Sequence, residues 1–376
     1  MKRKRSAAAC LLIVLGAVLT AVGLWPTLQA DDILQYVLIA PGEEGAIEQL
    51  LEKKDEALEE MADVLAASCV SAYGSGAYVS APDAGAGAQA ALYAGGEGFF
   101  EVYPRYLLSG RLPSETELRT GAHKAALDEE LAFKLYPTVD PVGKTIDVNG
   151  VEMEIVGVVR HSRRVGEEEE FGVYAPLGAV QEFGFETVSL SALPLAGSGA
   201  HILFEDTVSG TWQGGGYFYR LEKEAMRAQL PALYTAVLFA LAGLTALIRR
   251  VNALAASFGR KIRNRLEREY IGKIWPLAAA GVLGLILLYA LLGGAIWLVA
   301  RQAVQPLYMF PEWVPENLVQ WSSICDVFWN LATSAMQPVN AVSLAVREMQ
   351  FWAGVVRWGV LLVLSGALMR SLRREG

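Results

Sequence analysis

The sequence predicts a membrane protein in which four transmembrane α-helices carry a large extracytoplasmic α+β domain between the first and the second. Three observations predict it. Four apolar stretches approach or exceed the roughly 20 residues needed to cross a hydrocarbon core of about 30 Å. The segments flanking them on one side carry 15 Lys and Arg against 3 acids, whereas residues 31–230 carry 14 against 33, a balance of +12 on one face and -19 on the other. Within that acidic segment, helical and alternating apolar patterns follow one another.

Residues 1–30 hold a cytoplasmic N-terminus and the first span, Ser6 to Trp25. Lys2, Arg3, Lys4 and Arg5 keep the N-terminus inside, because basic residues near span ends resist translocation. A cleavable signal peptide is the rival, with Leu28, Gln29 and Ala30 before Asp31, but the leucine fits the small-residue rule poorly and an uncleaved anchor is expected. Residues 31–230 form the external domain. The second span, residues 231–248, contains no charge. Residues 249–273 form a basic cytoplasmic loop bearing Arg249, Arg250, Arg260, Lys261, Arg263, Arg265, Arg268 and Lys273. The third span, residues 274–300, is again uncharged. An external loop, residues 301–350, follows, whose Phe310, Trp313, Trp321 and Phe328, with Trp352 just beyond, suit the headgroup level. The fourth span and tail occupy residues 351–376. Arg357 lies near one end of that span, where its side chain reaches the headgroups, and Arg370, Arg373 and Arg374 hold the tail inside. Small-residue pairs, Gly16 with Thr20 and Ala242 with Ala246, are expected to let paired spans approach closely.

Inside the external domain, Ile47, Leu50, Leu51, Ala57, Leu58, Met61 and Leu65 recur at helical steps, predicting an amphipathic helix from Pro41 to about Cys69. The Gly-, Ala- and Ser-rich section from Ser71 to Gly98 suggests short strands around Tyr73, Tyr78, Val79 and Tyr93, separated by flexible links. Asp128 is placed to cap a short helix through Leu131, Ala132 and Leu135 to Tyr136. Asp140, Pro141, Val142 and Gly143 read as a turn. Thr145 to Val159 reads as a β-hairpin: Ile146 and Val148 alternate, Asn149 and Gly150 supply the positive dihedrals, and Val151, Met153 and Ile155 resume. Gly110 and Arg111 suit a turn, and Gly157 a close approach of backbones.

Those segments carry a resemblance. Gly98-Phe-Phe-Glu-Val-Tyr-Pro-Arg-Tyr-Leu-Leu-Ser-Gly-Arg111, Leu127-Asp-Glu-Glu-Leu-Ala-Phe-Lys-Leu-Tyr136, Asp140-Pro-Val-Gly-Lys-Thr-Ile146 and Glu154-Ile-Val-Gly-Val-Val159 resemble, in order, the periplasmic core domain of MacB-type ABC transporter permeases. The family's motif maps to Phe99, Phe100, Gly110, Arg111, Asp140, Pro141, Gly143, Lys144 and Gly157, residues of structural type. The four-span layout is similar to that of MacB- and FtsX-like permeases. The resemblance implies a bacterial inner or plasma membrane, an ABC ATPase partner that carries ATP and Mg, a second permease copy in a homo- or heterodimer, and an extracytoplasmic adaptor or cargo. Export or mechanical signalling across the membrane is the implied work.

The same resemblance points to Phe258, Gly259, Arg260 and Lys261 for contact with the ATPase, since they are similar to the family's Leu-Gly turn and the basic residues after it. Asn252 and Ala253 stand near where the family has a Glu-Ile pair. Read without the resemblance, the basic loop is a topology determinant that also attracts anionic lipid. A membrane-anchored sensor or scaffold is the alternative function.

No catalytic constellation is legible. His123, His161 and His201 have no acid or nucleophile at motif spacing, and no phosphate-binding loop occurs, so ATP hydrolysis by that route is excluded for this chain. Glu167 to Glu170 reads as a solvated acidic run, with Arg160, Arg163 and Arg164 before it. The three cysteines form no Cys-x-x-Cys pair. Cys69 and Cys325 would share the external face, and nothing in their spacing brings them to bonding distance. No cofactor, metal or nucleic acid is expected on this chain.

Overall fold

The computed structural model describes residues 2–38, 46–161, 165, 171–197, 199–212, 216–267, 270–310, 320–323, 325–327, 329 and 343–375. They divide into two compact units. One comprises residues 25–228 with 338–354, the other residues 1–24, 229–337 and 355–376.

The first unit is the α+β domain. Helix α1 (Lys2–Leu28) delivers the chain to β1 (Leu34–Leu38), and α2 (Ala46–Glu59), β2 (Leu65–Ala81) and β3 (Ala86–Gly95) follow. Next come α3 (Phe99–Val102), β4 (Leu107–Gly110), α4 (Glu115–Thr120), β5 (Lys124–Asp128) and α5 (Glu129–Leu135). The remainder is β6 (Thr145–Val148), β7 (Val151–Val159), β8 (Gly172–Pro176), β9 (Thr187–Pro194), α6 (Ala200–Thr211) and β10 (Gly216–Arg220). All ten strands join one mixed sheet in the order β10-β1-β9-β2-β3-β8-β5-β7-β4, with β6 bridging β2 and β7. That bridge closes β2, β3, β8, β5, β7 and β6 into a ring, from which β9, β1 and β10 extend as an open wing. β2 serves both parts: Leu65 to Tyr73 pair with β9, and Val79 and Ser80 pair with β6. Leu92, Leu127, Leu131, Leu135, Ile146, Met153, Ile155 and Phe185 are buried together in the core, each contributing on the order of 1.5–3 kcal/mol by leaving water.

The local signals hold. Asn149 (φ 48°) and Gly150 (φ 90°) make the tight turn, and Ile146 faces Met153 in the antiparallel register. Asp128 caps α5 by accepting the Glu130 N–H at 2.7 Å. In the Asp140 turn, Asp140 Oδ1 accepts the Val142 N–H at 3.1 Å and the Lys144 N–H donates to the Pro141 carbonyl at 3.0 Å.

Two expectations are corrected. The amphipathic helix ends at Glu59, and Leu65 to Cys69 are strand. Alanine and serine favour no strand locally, but pairing with β9 outweighs that propensity. The Gly-, Ala- and Ser-rich section is a pair of long strands joined at one turn, not short strands on flexible links; small side chains let Tyr73 face Tyr93 across the ladder.

The second unit is helical. Helix α7 (Leu221–Leu266) contains the uncharged stretch expected as a span, α8 (Ile271–Met309) the third and α9 (Leu344–Glu375) the fourth. With α1, these are four helices long and apolar enough to cross a membrane. Residues 249–266, expected within a loop, continue α7 without a break. Alanines and long straight-chain residues there favour helix over loop. Gly16 and Thr20 meet α9 of the same chain: a Cβ on Gly359 would lie 2.5 Å from Thr20 Oγ1, and one on Gly16 2.6 Å from the Gly359 carbonyl. The close approach therefore joins the first and fourth spans, while Ala242 and Ala246 stay exposed. Of the aromatic residues placed at the headgroup level, Phe310 is buried and Trp321 exposed; Trp313 and Phe328 lie outside the described residues.

Candidate functional site

Gly110, Arg111, Gly157 and the Asp140–Lys144 turn, singled out in sequence, assemble one corner of the domain. β4 crosses β7 at Gly110 and Gly157, where a Cβ on Gly157 would fall on the Arg111 carbonyl and one on Gly110 on the Val156 carbonyl. Gly110 also has φ 72°, a conformation open to glycine. The Asp140 turn closes the same corner, since the Gly143 N–H donates to Ile155 O at 2.7 Å and Ile155 N–H to Lys144 O at 2.8 Å. Arg111 then leaves the turn to grip α4. Its guanidinium donates to Glu117 at 2.5 and 2.7 Å, and Glu117 completes a capping box with Ser114. The arginine and the cap hold the Glu117 carboxyl down at about 2.

Phe99 and Phe100 sit elsewhere. Gly98 turns with φ 78° and donates its N–H to Glu115 Oε2 at 2.7 Å. Phe99 is buried against Gly95, with Phe100 edge-on at 5.0 Å and Tyr103 at 5.5 Å. From there Tyr103 enters a buried polar chain that no sequence motif signals. Gln35 Nε2 donates to Tyr103 Oη at 2.6 Å, and Tyr103 donates to Ser191 Oγ at 2.8 Å. Ser189 lies 3.4 Å from Ser191 and 3.0 Å from Ser71, hydroxyl to hydroxyl. Ser343, just before α9, donates to Gln35 Oε1 at 2.6 Å. Arg105 flanks this chain with its guanidinium over the rings of Tyr174 (4.9 Å) and Tyr93 (5.7 Å), which are themselves stacked at 4.9 Å.

His161 finds a partner that spacing did not suggest. Its Nδ1 lies 2.5 Å from Asp128 Oδ2. Burial pushes the Asp128 carboxyl up, opposed by the His161 hydrogen bond and the Glu130 amide. Among the described residues, no group of three or more His, Cys, Asp or Glu is placed to hold a metal ion. Cys69 and Cys325 are both free, and burial raises the Cys69 thiol far above its usual range. Glu167 to Glu170, Arg163 and Arg164 lie outside the described residues.

On the basic side, Phe258 to Lys261 are helical residues of α7, so the expected Leu-Gly-type turn is absent at this point. The Phe258 ring rests on Gly281 of α8, and Asn252 accepts a hydrogen bond from Tyr289 at 2.6 Å. Gly259, Arg260 and Lys261 are exposed.

Comparison with known proteins gives a family match over the first half of the chain. The model of the MacB-like periplasmic core domain matches residues 7–208. Over 92 residues, 24% of this chain, the sequence is 29% identical to the macrolide export ATP-binding/permease protein MacB of Neisseria gonorrhoeae, and equally to that of Neisseria meningitidis serogroup A. The match spans only 14% of the length of those relatives. Two solved structures cover half of this chain at 16% identity: the periplasmic region of MacB from Actinobacillus actinomycetemcomitans (88% of that chain, TM-score 0.38) and the extracellular domain of the noncanonic ABC-type transporter YknZ from Gram-positive bacteria (100% of that chain, TM-score 0.36).

Proposed function

The chain belongs to the family of MacB-like permeases with a MacB-type periplasmic core domain, and from that membership we propose that it is the membrane subunit of an ABC transporter, coupling a separate ATPase to export or to mechanical signalling across a bacterial cell membrane. ATP and Mg are held by the partner, and a second permease copy completes the assembly. The observation that carries this reading is helix α7. It starts at Leu221, directly after the wing strand β10, contains the uncharged stretch 231–248, and ends in the basic stretch that includes Arg260, Lys261, Arg263 and Arg265. A continuous helix transmits displacement along its axis through its internal hydrogen-bond ladder, which in α7 omits the one bond that Pro231 cannot donate. Gly259, Arg260 and Lys261 are its exposed contact residues for the ATPase; Phe258 positions the segment through Gly281.

A sensor or scaffold without ATP-driven work is the second reading. It is favoured by Asn252, near where the resemblance places the family's Glu-Ile pair, being engaged by Tyr289 within the chain. Affinity purification of the tagged protein in mild detergent separates the two. A co-purifying ATPase that is lost from Gly259→Asp and Arg260→Glu supports the permease; wild type without any ATPase supports the sensor.

A further inference from the structure

We propose that the cavity beside Arg105 is a binding site for a small monocarboxylate. The cavity measures about 60 Å³ and lies within the domain, between β2, β9 and the start of α9. Arg105 is its charged wall. The Nε of that side chain is buried without a hydrogen-bond partner among the described residues, although leaving such a donor unsatisfied costs about 1–3 kcal/mol. The tyrosine faces beneath the guanidinium stabilise its charge but accept none of its in-plane hydrogen bonds. An in-plane acceptor is what Nε lacks among the described residues.

The other walls supply donors. Gln35, which donates one amide hydrogen to Tyr103, lines the same space, as do Ser71 and Ser189, whose hydroxyls lie 3.0 Å apart. Leu344 and Ala345 line it too. They form the first turn of the 32-residue helix α9, where backbone N–H groups have no partner within the helix and the helix dipole favours negative charge. Ser343 fixes that turn by accepting the Val346 N–H while donating to Gln35.

Charge selects the class of ligand. Among the described residues no acidic side chain lines the cavity, in a domain where acids outnumber bases 33 to 14, and residues 327–346 carry none in sequence. One arginine balances one negative charge and its planar edge matches a carboxylate, whereas phosphate carries about 1.5 charges at neutral pH. Tyr73, Tyr93 and Phe99 offer apolar wall to the carbon end of the ligand.

Saturation-transfer difference NMR on the full chain in detergent tests this with acetate as the probe, ionic strength being held with chloride. The expected result is a saturable acetate signal that equimolar phosphate does not displace, with affinity lower by about tenfold or more in Arg105→Gln and unchanged in Lys124→Gln. Should Arg105→Gln lose the circular-dichroism signature of the wild type, Arg105→Lys takes its place, with an intermediate loss expected. A wild type without saturable acetate signal, a signal unchanged in the arginine variant, or displacement by phosphate overturns the proposal.

Discussion

Gly157 and Arg111 set the backbone geometry of one corner of the domain. The glycine lets the Arg111 carbonyl sit where any side chain would stand, and Arg111 then crosses to Glu117 at the head of α4. The ion pair has a pH signature. The Glu117 carboxyl lies at about 2 in the folded chain, below its usual 4.5, so the stabilisation is complete above about 4.5 and fades as pH falls toward about 2. Arg111 is half exposed, so solvent screening limits the pair and its cap to about 1 kcal/mol. Glu117→Gln is expected to lower the thermal midpoint of the domain by about 2–4 °C at pH 7, and the gap to wild type should shrink as pH is lowered below 4.5. A gap that is constant between pH 7 and pH 3, followed by scanning calorimetry, would remove the ion pair from the explanation.

At the scale of elements, the helix pair α1 and α9 shows what small residues accomplish. Gly359 lies so near Thr20 that a larger side chain must separate the helices, at a cost of about 1–3 kcal/mol. Gly354, on the same helix, has open space around it. Gly359→Leu should lower the unfolding temperature in detergent clearly more than Gly354→Leu; equal effects would mean that the contact does not stabilise the chain. Which helices share this seam was not legible in the sequence, because Gly16 and Thr20 mark a face and not its partner. The elements that were legible carry their own determinants: Asn149 and Gly150 in the turn, Asp128 at the cap, Asp140 to Gly143 before the hairpin. The start of β2 was not, because Leu65 to Cys69 owe their strand to β9, more than 100 residues away. The polar chain from Ser343 through Gln35 to Ser191 was hidden for the same reason, its members scattered across 308 residues of sequence. Even Arg105 lay within a quoted motif and gave no sign of its cavity, since its neighbours Tyr93 and Tyr174 come from strands β3 and β8.

Over the whole molecule, charge and helix length make one pattern. Residues 31–230 carry a net -19 while the expected cytoplasmic flanks carry +12, and basic residues left inside orient such a chain in a membrane. Four apolar helices with the domain between the first and second make it a multi-pass membrane protein of the MacB-like family. Its proposed work depends on the basic end of α7 meeting an ATPase. The direct measurement is to place a photo-crosslinking amino acid at Arg260, and separately at the external residue Tyr217, in living cells and to identify the adducts by mass spectrometry. Adducts with an ABC ATPase from position 260 and none from position 217 are the expected result; position 260 yielding only lipid or no ATPase adduct would contradict the coupling role and favour a sensor or scaffold.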